Sequence, residues 1–303
     1  MFKRFYIFLA AIFFLLNESA GQDKGILALT GARYFKEGAG AKTIDIKVDG
    51  SFLLSNRLPL NKEIEIRLQA PTGFTEDKTK VFFVAAELNI MSLKGTLLLK
   101  VPNVFKDNEA KGFAANNLKE LIIKVPLRAE VIKTEPGCII KLRFYDLKTK
   151  NQLRLELPVT IARPGEVVQV SKAVNEAKSD ISSQAMSVGV KIKNILVTLD
   201  TSIRVSPKMA YNSLDMSGIE GTSIVEVLSG KESFWVYDND LNEIKITDKQ
   251  LKQVGGAMEN NVVNYLSKIP FRLKTNTGKS YFVRFRWESS DKKKLIDVVV
   301  KYL

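Results

Sequence analysis

Apolar residues recur at every second position along most of this chain, and that rhythm limits what it can fold into. Ile44, Ile46 and Val48 alternate with polar residues in TIDIKVDG, as do Ile64, Ile66 and Leu68 in EIEIRL. The same holds for Ile140, Leu142 and Phe144 in CIIKLRFYD, and for Leu153, Leu155, Leu157, Val159 and Ile161 in QLRLELPVTI. Successive side chains of a strand point to opposite faces, so the pattern predicts strands with one covered face. DLKTKNQ reads as a hairpin loop and Lys94-Gly95 as a turn. Helical periodicity is scarce; AANNLKEL, the best candidate in the first half, is a turn or two. A strand with one covered face needs a second sheet laid against it, which predicts antiparallel β-sandwiches.

IARPGEVVQVSKAVNEAKSDISSQAMSVG breaks the rhythm. Pro164 and Gly165 stop the strand pattern, and small polar residues dominate from Ser171 to Ser187, which predicts a linker, part helical, over 165–187. The strand pattern resumes with VGVKIKNILVTL, giving domains over 22–164 and 188–303.

The two sides are related. GFAANNLKELIIKVPLR (Gly112–Arg128) aligns without a gap to GAMENNVVNYLSKIPFR (Gly256–Arg272), with six of seventeen positions identical. Ordinary composition gives roughly one match. KEIEIRLQAPTGF fits PKMAYNSLDMSGI upstream, and Gly137, Arg143, Phe144 and Leu153 fit Gly278, Arg284, Phe285 and Leu295 downstream. Order and near-constant spacing predict an internal duplication. The Asn-Asn segment reads as a short helical crossing that delivers the chain to the KVPLR and KIPFR strands. Pro126 and Pro270 cannot donate to a ladder and mark edge or strand-start positions. About seven short strands per copy fit an immunoglobulin-like sandwich. The expected fold is all-β: two tandem immunoglobulin-like antiparallel β-sandwich domains. This arrangement resembles the tandem immunoglobulin-like modules of bacterial envelope proteins, a resemblance of layout that implies a binding or scaffolding role.

The opening MFKRFYIFLAAIFFLLNESAGQ fits that setting. Lys3 and Arg4 precede an apolar run from Tyr6 to Leu16, and Ser19-Ala20-Gly21 supplies small residues for cleavage before Gln22. A spanning helix needs roughly 20 apolar residues. The run is shorter and predicts a secretory signal peptide over 1–21. The chain is expected to be exported, periplasmic or on the cell surface, with no transmembrane segment after cleavage. No Cys lies near the site, which excludes a lipoprotein anchor. An outer-membrane barrel needs an unbroken apolar outer band, and here the outward residues are often charged.

The sequence has no histidine. That removes Ser-His-Asp and Cys-His catalysis, His-based zinc sites and the usual general base near neutral pH. No phosphate-binding glycine loop, dinucleotide fingerprint or serine elbow appears. Carboxylate pairs and Ser-Lys dyads survive as chemistry, but nothing marks one. A glycosidase built on two carboxylates needs a deep cleft that small sandwiches rarely offer. The chain therefore reads as non-catalytic, with no cofactor and no metal. The one cysteine, Cys138, reads as a buried small hydrophobe, with an intermolecular bridge as the sharper alternative. Net charge is +13, and both halves are basic, at +8 over 22–164 and +4 over 165–303. Outside the cytoplasm the expected partners are an envelope protein or an anionic glycan or lipid surface; nucleic acid is disfavoured.

Three stretches offer sites. In YDNDLNEIKITD, Asp238, Asp240 and Asn242 match the start of a calcium loop. Glu243 and Lys249 stand where that loop requires Gly and Glu, so an Asp/Asn-rich turn explains it better. ESFWVYDND puts Phe234 and Val236 on one face and Trp235 and Tyr237 on the other. An exposed Trp235–Tyr237 pair would form a platform for a sugar ring, the carbohydrate-binding alternative; burial at a domain or loop contact is the structural one. In SYFVRFRWESSDKKKLIDVVVKYL, Tyr281, Val283, Phe285 and Trp287 share a face assigned to the core. Arg284 and Arg286 then project from the other face near Lys292, Lys293 and Lys294, as a basic patch able to meet phosphate or carboxylate groups.

Overall fold

A computed structural model describes residues 23–132, 135–163, 165–177, 184–200, 209–244, 253–259, 262–272 and 281–302; the leader expected over 1–21 lies outside them. In chain order the strands of the first half are β1 (Asp23–Ile26), β2 (Arg33–Glu37), β3 (Gly40–Val48), β4 (Ser51–Leu53), β5 (Arg57–Leu58), β6 (Lys62–Thr72), β7 (Val81–Phe82), β8 (Val84–Ser92), β9 (Leu97–Val101), β10 (Phe113–Ala114), β11 (Glu120–Leu127), β12 (Gly137–Asp146), β13 (Gln152–Ile161) and β14 (Val170–Ser171). The second half supplies β15 (Asn175–Ala177), β16 (Gln184–Val188), β17 (Asn194–Asp200), β18 (Met209–Ile219), β19 (Lys231–Tyr237), β20 (Glu243–Ile244), β21 (Gln253–Glu259), β22 (Val262–Arg272), β23 (Tyr281–Glu288) and β24 (Leu295–Tyr302).

The protein is all-β. In the first half the larger sheet runs β1-β2-β13-β12-β8-β9, with β5 beside β13, and the smaller runs β11-β6-β3-β4-β14. In the second half the sheets run β15-β16-β24-β23-β19-β20 and β17-β18-β22-β21. The pairings between named strands are antiparallel, apart from the short β5–β13 contact. The order β13-β12-β8-β9 against β3-β6-β11 is the G-F-C-C′ over A-B-E arrangement of an immunoglobulin-like sandwich. The order β24-β23-β19-β20 against β17-β18-β22-β21 repeats it and adds a strand in the D position. The two halves thus share one strand order.

The alternating residues face inward as their spacing requires. Ile64, Ile66 and Leu68 on β6, Ile123 and Val125 on β11, and Leu142 and Phe144 on β12 meet between the sheets of the first half. Their neighbours Glu65 and Arg67 face outward and pair at 2.7 Å. Cys138 is fully buried in this core. The second core joins Phe234 and Val236 to Val283, Phe285, Trp287, Ile296 and Val298. Trp287 Nε1 donates to the Val227 carbonyl at 2.9 Å, which satisfies its polar edge inside the core. Val227 lies on a short helix, Ile224–Ser229, started by Ser223, whose side chain accepts from the Glu226 amide.

The segment 165–187 differs from the expected part-helical linker. Its described residues form β14, which pairs β4, and β15 and the start of β16, which join the larger sheet of the second half. The first Asn-Asn segment is a 3-10 turn over Ala115–Lys119, as expected, and β11 with Pro126 is an edge strand. In the second copy Asn260 and Asn261 lie outside the described residues, between β21 and β22. Pro270 sits inside β22 opposite Tyr211 and not at a strand start; the described part of β21 ends opposite Lys268.

Candidate functional site

Alternation along β23 and β24 sends Val283, Phe285, Trp287, Ile296 and Val298 inward and leaves Arg284, Arg286, Asp297 and Val299 on the outer face. That outer face is covered. The loop between β1 and β2, Leu27–Ala32, lies on it together with Leu54 and Gln169 of the first half. Arg284 is 7% exposed, Arg286 8% and Asp297 0%. Arg284 grips Asp297 with Nε to Oδ1 at 3.0 Å and Nη2 to Oδ2 at 2.8 Å. The same Nη2 donates to the Leu29 carbonyl at 2.8 Å. Arg286 Nη1 donates to Leu54 O at 2.6 Å and to Leu29 O at 3.2 Å, and its Nη2 donates to Gln169 Oε1 at 3.1 Å.

The electrostatics follow from burial. Desolvation works against a charged Arg284, and the Asp297 carboxylate outweighs it, so the guanidinium sits above its ordinary value. Arg284 spends Nε and Nη2 on the Asp297 carboxylate and the Leu29 carbonyl, so these donors face the junction and not solvent. Arg284 and Arg286 are therefore brought together as expected, but as a lock between the two halves and not as an exposed basic patch.

The aromatic pair meets the same fate. Tyr237 is 9% exposed and packs with Ile26, Ala28, Leu241, Phe282 and Val299. Trp235 is half-buried against this cluster, with the Arg284 guanidinium 4.9 Å from its ring centroid. The open sugar platform is not formed, because the β1–β2 hairpin covers it. Burial at a domain contact is what the structure shows. Leu29, Leu54 and Leu295 form a second apolar contact beside the arginines.

The calcium-like stretch serves the same junction. Asp238 Oδ1 accepts from the Asp240 and Asn242 amides at 2.8 and 2.9 Å, closing the turn between β19 and β20. Leu241 in that turn takes φ +63° and is fully buried. Its carbonyl accepts from Arg33 Nη1 at 3.3 Å. Among the described residues no group of three or more His, Cys, Asp or Glu side chains could hold a metal ion. In the lysine turn, Lys294 pairs with Glu226 at 2.6 Å and Lys293 stands 3.8 Å from Asp291.

What the junction leaves open are sheet edges. β9 ends the larger first-half sheet, with Leu93 and Leu97 half-exposed at its hairpin. β11 ends the smaller one, and a cleft of 380 Å³ lies at its C-terminal end between Lys62, Glu63, Pro126 and Arg128. An unpaired edge offers backbone donors and acceptors to an added strand.

Sequence reasoning missed Asp297 and the Leu27–Ala32 loop. The signal was present in LIDVVV, where apolar residues occupy both faces of the strand around one carboxylate. A strand apolar on both faces is covered on both.

No family model and no curated protein matches the chain. A search of solved structures aligns it with the crystal structure of ICOS in complex with ICOS-L and an anti ICOS-L VNAR domain. The identity is 7%, the TM-score 0.23, and the alignment covers 81% of this chain and 97% of that chain. At that score the alignment carries no argument. The immunoglobulin-like layout rests on strand order.

Proposed function

We propose that this chain is an exported, non-catalytic envelope protein that works as a rigid two-sandwich binding or scaffolding unit, presenting sheet edges and loops to a protein partner. The observation that carries this reading is the junction. A buried Arg–Asp–Arg cluster and two apolar contacts fix one sandwich against the other, so edges on different halves are held at set positions. Rigid presentation lowers the ordering cost of binding at more than one point. The leader-like opening supports export, and the lack of histidine in the sequence supports a role without acid–base chemistry near neutral pH.

The test is capture of partners from detergent-solubilised envelope with tagged residues 22–303, beside Asp297→Ala, which unlocks the junction. A stoichiometric protein partner, weakened by the junction variant, is the expected result. Recovery of glycan alone, or turnover of a glycoside by the purified protein, overturns the reading. Export is tested separately by sequencing the N-terminus of the mature protein, expected at Gln22.

A further inference from the structure

The smaller sheets of the two halves differ beyond the strand that β11 and β22 share in the common order. In the second half β21 pairs along β22, while among the described residues nothing pairs along the outer edge of β11, the equivalent strand of the first half. The outward row on β11 is Glu120, Ile122, Lys124 and Pro126, with Leu121, Ile123, Val125 and Leu127 in the core.

We propose that the β11 edge pairs antiparallel with β11 of a second copy of this chain, about a two-fold axis through Ile122. Directly opposite residues of an antiparallel pair share a face, so only registers that match outward row to outward row keep the core residues inward. Centring on Glu120 or Lys124 sets like charges opposite each other. Centring on Ile123 sets Lys124 against Ile122 and Glu120 against Pro126. Centring on Ile122 sets Glu120 of each copy opposite Lys124 of the other, at two symmetric places.

The same register moves Pro126 opposite Leu118, beyond the start of β11, so its missing donor costs the new ladder nothing. The neighbouring strand continues the alternation. Arg67 Nη1 lies 2.7 Å from Glu120 and Glu63 lies 3.2 Å from Lys124. Across the dimer the charges read Arg67, Glu120, Lys124, Glu63, with no like pair adjacent. The contact joins two five-stranded sheets into one continuous sheet and needs no other partner, so its failure and that of the proposed function are distinguishable.

Sedimentation equilibrium of purified residues 22–303 is expected to show reversible dimers that weaken with salt. Glu120→Lys and Lys124→Glu should each weaken self-association roughly tenfold, since each sets like charges opposite at both places. Mixed in equal amounts, the two variants should recover dimers, because every opposed pair is then complementary. Ile122→Cys should cross-link to itself on oxidation or with a short bis-maleimide, while Leu97→Cys on β9 should not; buried Cys138 does not compete. Both exposed-edge charge variants should melt within a few degrees of the parent. A monomer at all concentrations, mixed variants that stay monomeric, or cross-linking through Leu97→Cys alone overturns the proposal. An edge closed only by an added envelope peptide overturns it as well and assigns β11 to a foreign strand.

Discussion

Gly31 and Arg284 meet across the junction with no room for a methyl group between them: a Cβ on Gly31 would stand 2.3 Å from Arg284 Nη1. Gly31 also takes φ +71°, a left-handed conformation that costs any other residue. The guanidinium cannot swing aside, because Asp297 and the Leu29 carbonyl hold it. Gly31→Ala should therefore destabilise the protein by about 1–3 kcal/mol. Hydrogen exchange should speed at Ala32 and Leu27, whose amides bond within this loop. Urea unfolding checks the first, and unchanged stability would show that the junction is looser than described.

Asp297→Ala leaves two buried guanidinium groups with no carboxylate between them. Breaking one partner of a buried pair costs about 3–5 kcal/mol. Asp297→Asn keeps the shape and removes the charge, and should cost less. In the alanine variant the fluorescence of Trp235, at the junction, should change at lower urea than the far-ultraviolet circular dichroism. A single coincident transition would mean that the sandwiches unfold together with or without the lock.

Asp146 sits at the end of β12, 3% exposed, and accepts from the Thr75 and Lys148 amides at 2.7 Å each. Burial opposes its charge, but these hydrogen bonds outweigh burial and hold the carboxyl below its ordinary value. A group depressed on folding stabilises above its unfolded pKa, about 3.9, and loses that contribution as pH falls below it toward the folded value. Asp146→Asn should be less stable at pH 7 and should show a flatter acid limb, so that the two curves converge at low pH. Parallel curves would remove Asp146 as a source of the acid sensitivity.

The Cys138 thiol is pushed up to about 11 by burial in the first core. A disulfide-exchange reagent at pH 8 should label it only through opening of the sandwich, at a rate that rises with urea. Rapid labelling of the folded protein, or a disulfide-linked dimer from the unmodified chain, would contradict this placement.

Legibility in the sequence followed the chemistry of each strand. QLRLELPVTI alternates strictly because β13 has one covered face: Leu153, Leu155 and Leu157 are buried while Arg154 and Glu156 reach salt bridges at the surface. The β12–β13 hairpin and the Lys94-Gly95 turn could be read off for the same reason. Arg284 and Arg286 misled because alternation says which residues share a face, not whether that face meets water. The cover over their face comes from a loop more than 250 residues away in sequence, and no local pattern reports it. The linker misled through composition: Ser, Ala and Asn are poor strand formers, and the short strands β14 to β16 are held by pairing with better ones.

The clasp joins Leu29 to a hairpin that is made much later. Synthesis runs from the N-terminus, so Leu27–Ala32 emerges long before the surface it rests on exists, and Ile26 and Ala28 stay uncovered until β23 and β24 pair. The pairing of Leu29 with Arg284 spans 255 positions, and closing so distant a contact belongs among the slow steps of folding. The first sandwich can form its own core early, yet its β1–β2 hairpin keeps an exposed apolar flank throughout that wait. A chain interrupted before β24 would carry that flank permanently, which leaves it open to aggregation or degradation.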